Sequence, residues 1–268
     1  MYIKNEFIGS DFSCSFLQVG IYDEEELIEL GQSDAVSVSL ELDAIRCLRF
    51  FPQVENLILR PGCIDINDLH YLSKDSIKRL KLDYYSETYD EYSIDLSIFS
   101  QLEVVFSRTQ YNFTNTRAAK ELKQLVVQQW YDRDLSSLVS PSVVCLKILE
   151  GKLRSVCGIH QLPQLSELSI SNQRLIRDLS QLAECKQLQI LELESCNAVS
   201  LETMPMLPYI KRFTLIGRQC INSAMFFSRF PNMEALFLGV RINAGDLSPL
   251  FGFGHCVLLS VHSHYRHR

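Results

Sequence analysis

No run in this chain approaches the about 20 consecutive apolar residues that a membrane-spanning helix requires. The amino end, MYIKNEFIGSDFSCSFLQVG, has no continuous apolar core and carries Glu6, so it does not read as a secretory signal. No C-x-x-C pair occurs among the nine cysteines, which are spread from Cys14 to Cys256, and their odd number argues against a disulfide framework. Unpaired, mostly buried thiols in a reducing, cytoplasmic compartment are the expectation. Glycine and proline, 11 and 8 of 268 residues, are scattered singly and mark no linker between domains.

Motifs of catalysis are missing too. The chain contains no G-x-G-x-x-G, P-loop, G-x-S-x-G or H-E-x-x-H. Four of its six histidines, His255, His262, His264 and His267, crowd the last fourteen residues, where no cysteine or carboxylate completes a metal site. His70 and His160 stand alone beside turns. These absences imply no enzyme, no small-molecule substrate, no cofactor and no bound metal. Basic charge is scarce in one half: residues 1–134 hold 13 Lys/Arg against 23 Asp/Glu, whereas residues 135–268 hold 13 against 9. That balance argues against nucleic acid, which demands clustered cations, and favours a protein partner with a basic face.

What the chain does have is a repeat. The pattern apolar-x-x-apolar-x-apolar recurs at Val54 (VENLIL), Ile77 (IKRLKL), Leu122 (LKQLVV), Val143 (VVCLKI), Leu165 (LSELSI), Leu188 (LQILEL), Ile210 (IKRFTL) and Met233 (MEALFL). Weaker copies begin at Cys14, Ser33, Leu102 and Cys256. From Ser33 to Cys256 the steps run between 20 and 25 residues, too regular for chance in an apolar chain. Between hexads a second element, Asp-Leu-Ser, returns at 95–97, 134–136, 178–180 and 246–248, with a variant at Asn67-Asp68-Leu69.

These residues resemble the leucine-rich-repeat family, over about residues 14–261. The copy Leu179–Asn197 places Cys196 where the family uses Asn or Cys, and D-L-S-P-L at 246–250 is similar to the connector of short, internalin-like bacterial repeats. The resemblance implies a solenoid with one parallel sheet, a short 3₁₀ or irregular opposite side, and a protein-binding role. The ninth position departs from the family pattern, being Gly62, Tyr85, Trp130, Gly151, Gln173, Arg218 and Arg241 in other copies, so the buried asparagine ladder is expected to be incomplete.

The physics of the hexad agrees. Alternate residues of a strand face opposite sides, so the repeat apolars point inward and the residues between them outward. One repeat cannot bury its own apolar side; stacked neighbours supply the missing wall. The expectation is a single domain over 1–268. Residues 1–32 form a cap, with an amphipathic helix at 20–32; repeats fill 33–261; and 262–268 form a loose tail.

A binding function must then reside on outward residues. Phe106 is an outward residue within one hexad, with Arg108 just after it, and Trp130 and Tyr131 follow the next. Aromatic and Arg side chains are the types that dominate interface hot spots, although Trp130 at a ninth position also fits a place in the core. The longest repeat adds an insertion rich in Tyr and acid, with Tyr84, Tyr85, Tyr89, Asp90, Glu91 and Tyr92 suited to a basic cleft. The expected role is an immunity or inhibitor protein that blocks a toxin or enzyme through the early-middle repeats, the alternative an adaptor or effector scaffold.

Overall fold

The computed structural model describes residues 3–7, 13–19, 36–62, 66–72, 75–85, 87 and 93–243. The expected helix at 20–32, the copy at Cys256, the fourth Asp-Leu-Ser and the carboxy-terminal tail lie outside these. The chain divides into two compact units, residues 1–128 and 129–268.

In the first unit the strands β1 (Ile3–Phe7), β2 (Ser13–Val19), β3 (Ser37–Glu41), β4 (Asn56–Arg60) and β5 (Arg79–Leu82) lie side by side in chain order. A short pair, β6 (Ile94–Asp95) and β8 (Phe113–Thr114), forms a separate parallel ladder, while β7 (Val104–Thr109) continues the main sheet beside β5. β9 (Gln124–Trp130) crosses the division between the units. The second unit carries β10 (Cys145–Gly151), β11 (Glu167–Ser171), β12 (Ile190–Glu194), β13 (Arg212–Ile221) and β14 (Ala235–Ile242), again in chain order. Within each unit, among the described residues, the registered pairs are parallel except β1 with β2. That exception was not anticipated. Only residues 8–12 separate the two strands, and a parallel return needs a crossover of a dozen residues or more.

Every clear hexad maps the same way. Its third residue opens the strand, its fourth faces the core, and fourth pairs with fourth across the ladder: Leu57 with Leu80, then Leu80 with Val105; Leu168 with Leu191, Phe213 and Leu236 in succession. All of these are fully buried. The weak copy at Ser33 is set two residues too early. Leu17 and Leu57 both align with Val38, not Val36, and Val36 is exposed. A slip of two keeps every side chain on its own face, so alternation alone could not detect it.

The Asp-Leu-Ser connectors are turns held by the aspartate. Asp95, Asp134 and Asp178 each accept a hydrogen bond from the backbone N–H of the serine two residues on, at 2.8, 2.9 and 2.9 Å. The leucines between them, Leu96, Leu135 and Leu179, drop into the core. Short 3₁₀ segments follow at Leu96–Ile98 and Ser180–Glu184.

The incomplete asparagine ladder is replaced by an assortment. Asn112 Nδ2 donates to the carbonyl of Tyr84 (2.5 Å), and Gln173 Oε1 accepts from the N–H of Leu153 (3.1 Å). Cys196 Sγ donates to the Ile170 carbonyl (3.3 Å), and Gln219 Nε2 to the Cys196 carbonyl (2.6 Å). Gln219 replaces Arg218 because β13 bulges between Ile216 and Cys220, its three residues Gly217, Arg218 and Gln219 facing the single Val240 on β14. Each bond joins one turn to the one before it and satisfies a buried backbone group that water cannot reach.

Two expected surface residues belong to this interior. Trp130 is 1% exposed, and its Nε1 donates to the Asp134 carbonyl at 3.0 Å. The following turn makes room for it through Gly151, at φ +139°, where a Cβ would lie 2.0 Å from the Trp130 carbonyl oxygen. Tyr84 is 4% exposed and donates its hydroxyl to the Asn112 carbonyl at 3.4 Å.

Candidate protein-binding face

Parallel register sets the residues between the repeat apolars of the first unit in rows. Ser39, Ile58, Lys81 and Phe106 fall opposite one another on β3, β4, β5 and β7; Ser39 and Ile58 are buried, and Lys81 and Phe106 are half-buried. The charged residues of neighbouring rows pair along the sheet. Lys78 Nζ meets Glu55 Oε1 at 2.7 Å, Arg60 Nε donates to Ser39 Oγ at 2.8 Å, and Arg79 donates to Asn56 Oδ1 at 3.2 Å.

The densest group surrounds Arg108. Its Nε donates to Asp83 Oδ1 at 2.6 Å, one Nη to Gln128 Oε1 at 2.6 Å, and the same Nη to the Tyr85 hydroxyl at 3.5 Å. Asp83 also receives Lys81 Nζ at 3.6 Å. Both cations lie over rings: Lys81 Nζ 5.7 Å from the Phe106 centroid, and the Arg108 guanidinium carbon 5.5 Å from that of Tyr85. Burial would lower the pKa of Arg108, but the Asp83 carboxylate outweighs it and holds the group above its ordinary value. Each cation–ring contact contributes about 0.5–1 kcal/mol at a partly exposed site. Tyr85 remains 59% exposed, and Phe106 is half-buried.

Of the residues singled out in the sequence, Tyr85, Phe106 and Arg108 are brought together here. Trp130 and Tyr84 are not surface residues: each is buried, and each has its polar atom bonded to a backbone carbonyl. Tyr131, in the second unit, is half-buried, with its hydroxyl donating to Gln129 Oε1 at 2.6 Å and Lys152 Nζ 5.4 Å from its ring. Tyr89, Asp90, Glu91 and Tyr92 lie outside the described residues. Asp95, at the end of the same acidic stretch, is structural. Its Oδ1 accepts from the Ser97 N–H and its Oδ2 from Asn115 Nδ2 at 2.8 Å, bonds that lower its pKa against the raising effect of burial.

The network partners Lys81, Asp83 and Gln128 were legible as outward positions but not as a cluster. The signal that unites them is register: Arg108 lies 25 residues past Asp83, and Gln128 20 past Arg108, one repeat apart each time. Among the described residues no group of three or more His, Cys, Asp or Glu side chains is placed to hold a metal ion.

No protein-family model matches the sequence, and no curated protein matches it. Solved structures do match. TLR13, in a complex with ssRNA13, is similar at a TM-score of 0.58 and 17% identity over 84% of this chain, which spans 36% of the TLR13 chain. An internalin (inlF) from Listeria monocytogenes is similar at a TM-score of 0.57 and 18% identity, covering 89% of this chain and 76% of that one. Hexad, parallel register, connector turn and these structures agree: the chain has the leucine-rich-repeat fold.

Proposed function

We propose that this chain is a non-catalytic protein-binding module that acts through the strand face of its first unit, centred on Tyr85, Phe106 and Arg108. The observation that carries the reading is the pair of rings held under Lys81 and Arg108, because rings fixed before contact lose little entropy on binding. A cavity of about 540 Å³ in the second unit, between the connectors at Leu201–Thr203 and Ala224–Arg229, offers little to an enzyme reading. Its lining is mixed, with Leu201, Met225 and Phe226 beside Glu202, Asn222 and Ser223, and its Arg229 guanidinium is occupied by the carbonyls of Met204 and Glu202. The specific form proposed is an immunity or inhibitor protein in the cytoplasm, occluding a basic partner such as a toxin. The acid-rich stretch at 87–92 supplies complementary charge.

The test begins with affinity capture by the intact chain and by a Tyr85→Ala/Phe106→Ala pair, folding checked by circular dichroism. The captured protein is then purified and titrated. A loss of about 2 kcal/mol or more for the double variant is expected of a hot spot, with the partner's own activity falling to zero at one-to-one stoichiometry. Undiminished binding by the double variant would refute the placement. A partner that keeps its activity while bound would replace the inhibitor form with an adaptor.

A further inference from the structure

We propose that the strand-end edge of the second unit, through Arg133, Arg154 and Arg177, binds an acidic α-helical segment of another protein, independently of the first unit's face. These three residues follow β9, β10 and β11 and stack in register. The N–H of Arg154 donates to the Arg133 carbonyl at 2.7 Å, and the N–H of Arg177 to the Arg154 carbonyl at 2.9 Å. Adjacent rungs of such a ladder are about 4.8 Å apart, so three guanidiniums rise from one column.

All three are exposed, and among the described residues none of the three side chains makes a hydrogen bond or ion pair. Three other cations of the unit, on or beside its strands, are matched to carboxylates: Lys147 with Glu167 at 3.3 Å, Lys211 with Glu234 at 3.4 Å, Arg212 with Glu192 at 3.8 Å. Arg218 and Arg241, on β13 and β14, are exposed and, among the described residues, also without an ion pair, but they do not stack with the column. Exposed Lys152 and Arg174 add charge of the same sign along the edge. Asp134 and Asp178 follow Arg133 and Arg177 in the chain. Their carboxylates are turned to the N–H groups of Ser136 and Ser180, and neither forms an ion pair with the column. An unneutralised column of like charge repels itself, and an anion of matching period relieves the repulsion.

The period selects the partner. One carboxylate per turn of an α-helix rises about 5.4 Å, within 1 Å or so of each rung, a mismatch that long arginine side chains absorb. Same-face side chains of an extended peptide recur at about 6.8 Å, and fall out of step by the third arginine. Single-stranded nucleic acid calls for aromatic platforms beside the cations. In residues 131–134, 151–156 and 172–178 the only ring is that of Tyr131, which Gln129 and Lys152 already engage.

The probe is an alanine-based, end-capped, fluorescently labelled helical peptide of twenty residues with glutamate once per turn, titrated against the intact chain by anisotropy. Its lysine counterpart and a twenty-nucleotide single-stranded RNA serve as the other arms. The glutamate peptide is expected to bind, with at least a tenfold loss for Arg133→Gln/Arg154→Gln/Arg177→Gln and less than a twofold change for Lys211→Gln. Circular dichroism verifies that the triple variant is folded, as exposed side chains without partners should allow. Absence of binding, equal binding by the triple variant, or equal binding of the lysine peptide would overturn the proposal. RNA that binds more tightly than the peptide, and loses affinity through the same three arginines, would replace the helical partner with a nucleic acid.

Discussion

Replacing Gly151 by alanine should damage this protein far more than a single methyl group suggests. The added carbon would lie 2.0 Å from the Trp130 carbonyl oxygen and 2.7 Å from both the Trp130 carbonyl carbon and nitrogen, where ordinary contact is 3.4–4 Å. All three atoms are backbone, so no side chain can swing aside. A non-glycine residue at φ +139° adds strain on the order of 1–3 kcal/mol. Moving the Trp130 carbonyl also breaks the 2.7 Å bond it accepts from the N–H of Lys152, for about 0.5–1.5 kcal/mol more. The expected loss is about 1.5–4.5 kcal/mol. Trp130 is the single tryptophan and is buried, so its emission in urea follows the transition directly. Gly239→Ala is the control: its Cβ would meet only the Ile216 side chain, at 3.2 Å, and should cost less than about 1 kcal/mol. A Gly151→Ala transition that moves no further than the control's would refute the argument that the glycine exists to admit the Trp130 backbone.

Other expectations follow from the same interior. Trp130→Ala should destabilise by about 3–5 kcal/mol through the cavity it opens, measured by urea denaturation followed by circular dichroism; a loss below 1 kcal/mol would return Trp130 to the surface. Asp178→Ala should cost about 0.5–1 kcal/mol, the lower part of the range for a lost cap, because the turn is exposed. The bonds from Ser180 hold the Asp178 pKa below its ordinary 3.8, so this contribution is complete above that pH and fades as pH falls through the lowered folded-state value. The gap between variant and parent should therefore hold above pH 3.8 and close on acidification below it, and a gap that widens would contradict the assignment. For the thiols, burial pushes Cys185 and Cys196 up to about 11, so in the native protein at pH 8 both should react slowly with a disulfide reagent. Denatured protein prepared without reductant should yield nine free thiols, and finding six or more in disulfides would contradict the expected reducing compartment.

The repeat was legible because it obeys two local rules at once: strand alternation within the hexad, and an aspartate that closes the turn between hexads. Leu168, Leu191, Phe213 and Leu236 could be aligned by counting, and Asp178-Leu179-Ser180 could be read as a turn from residue chemistry alone. What counting could not supply was the content of positions where register is locally broken. Val36 and Val38 are equally apolar, and only pairing with Leu57 decides between them. Arg218 occupies the ninth position by number, but the bulge in β13 hands that place to Gln219. Trp130 has the composition of a hot spot and the position of a ladder residue, and Gly151, one repeat later, was the available sign that the ring turns inward. The cluster around Arg108 escaped notice because its members are ordinary polar residues whose meaning lies in being one repeat apart.

The ladder of Asn112, Gln173, Cys196 and Gln219 also bears on how such a chain can change length. In an array built on one repeated asparagine, any unit meets any other, and excision or duplication leaves every junction as before. Here each rung has its own reach and its own target: an amide oxygen taking the N–H of Leu153, a thiol on the carbonyl of Ile170, an amide nitrogen on that of Cys196. Removing one unit joins a donor to a turn shaped for a different one. The units are modular in outline but individual at their seams, and the chain is confined to changing one residue at a time where a more uniform solenoid could gain or lose whole turns.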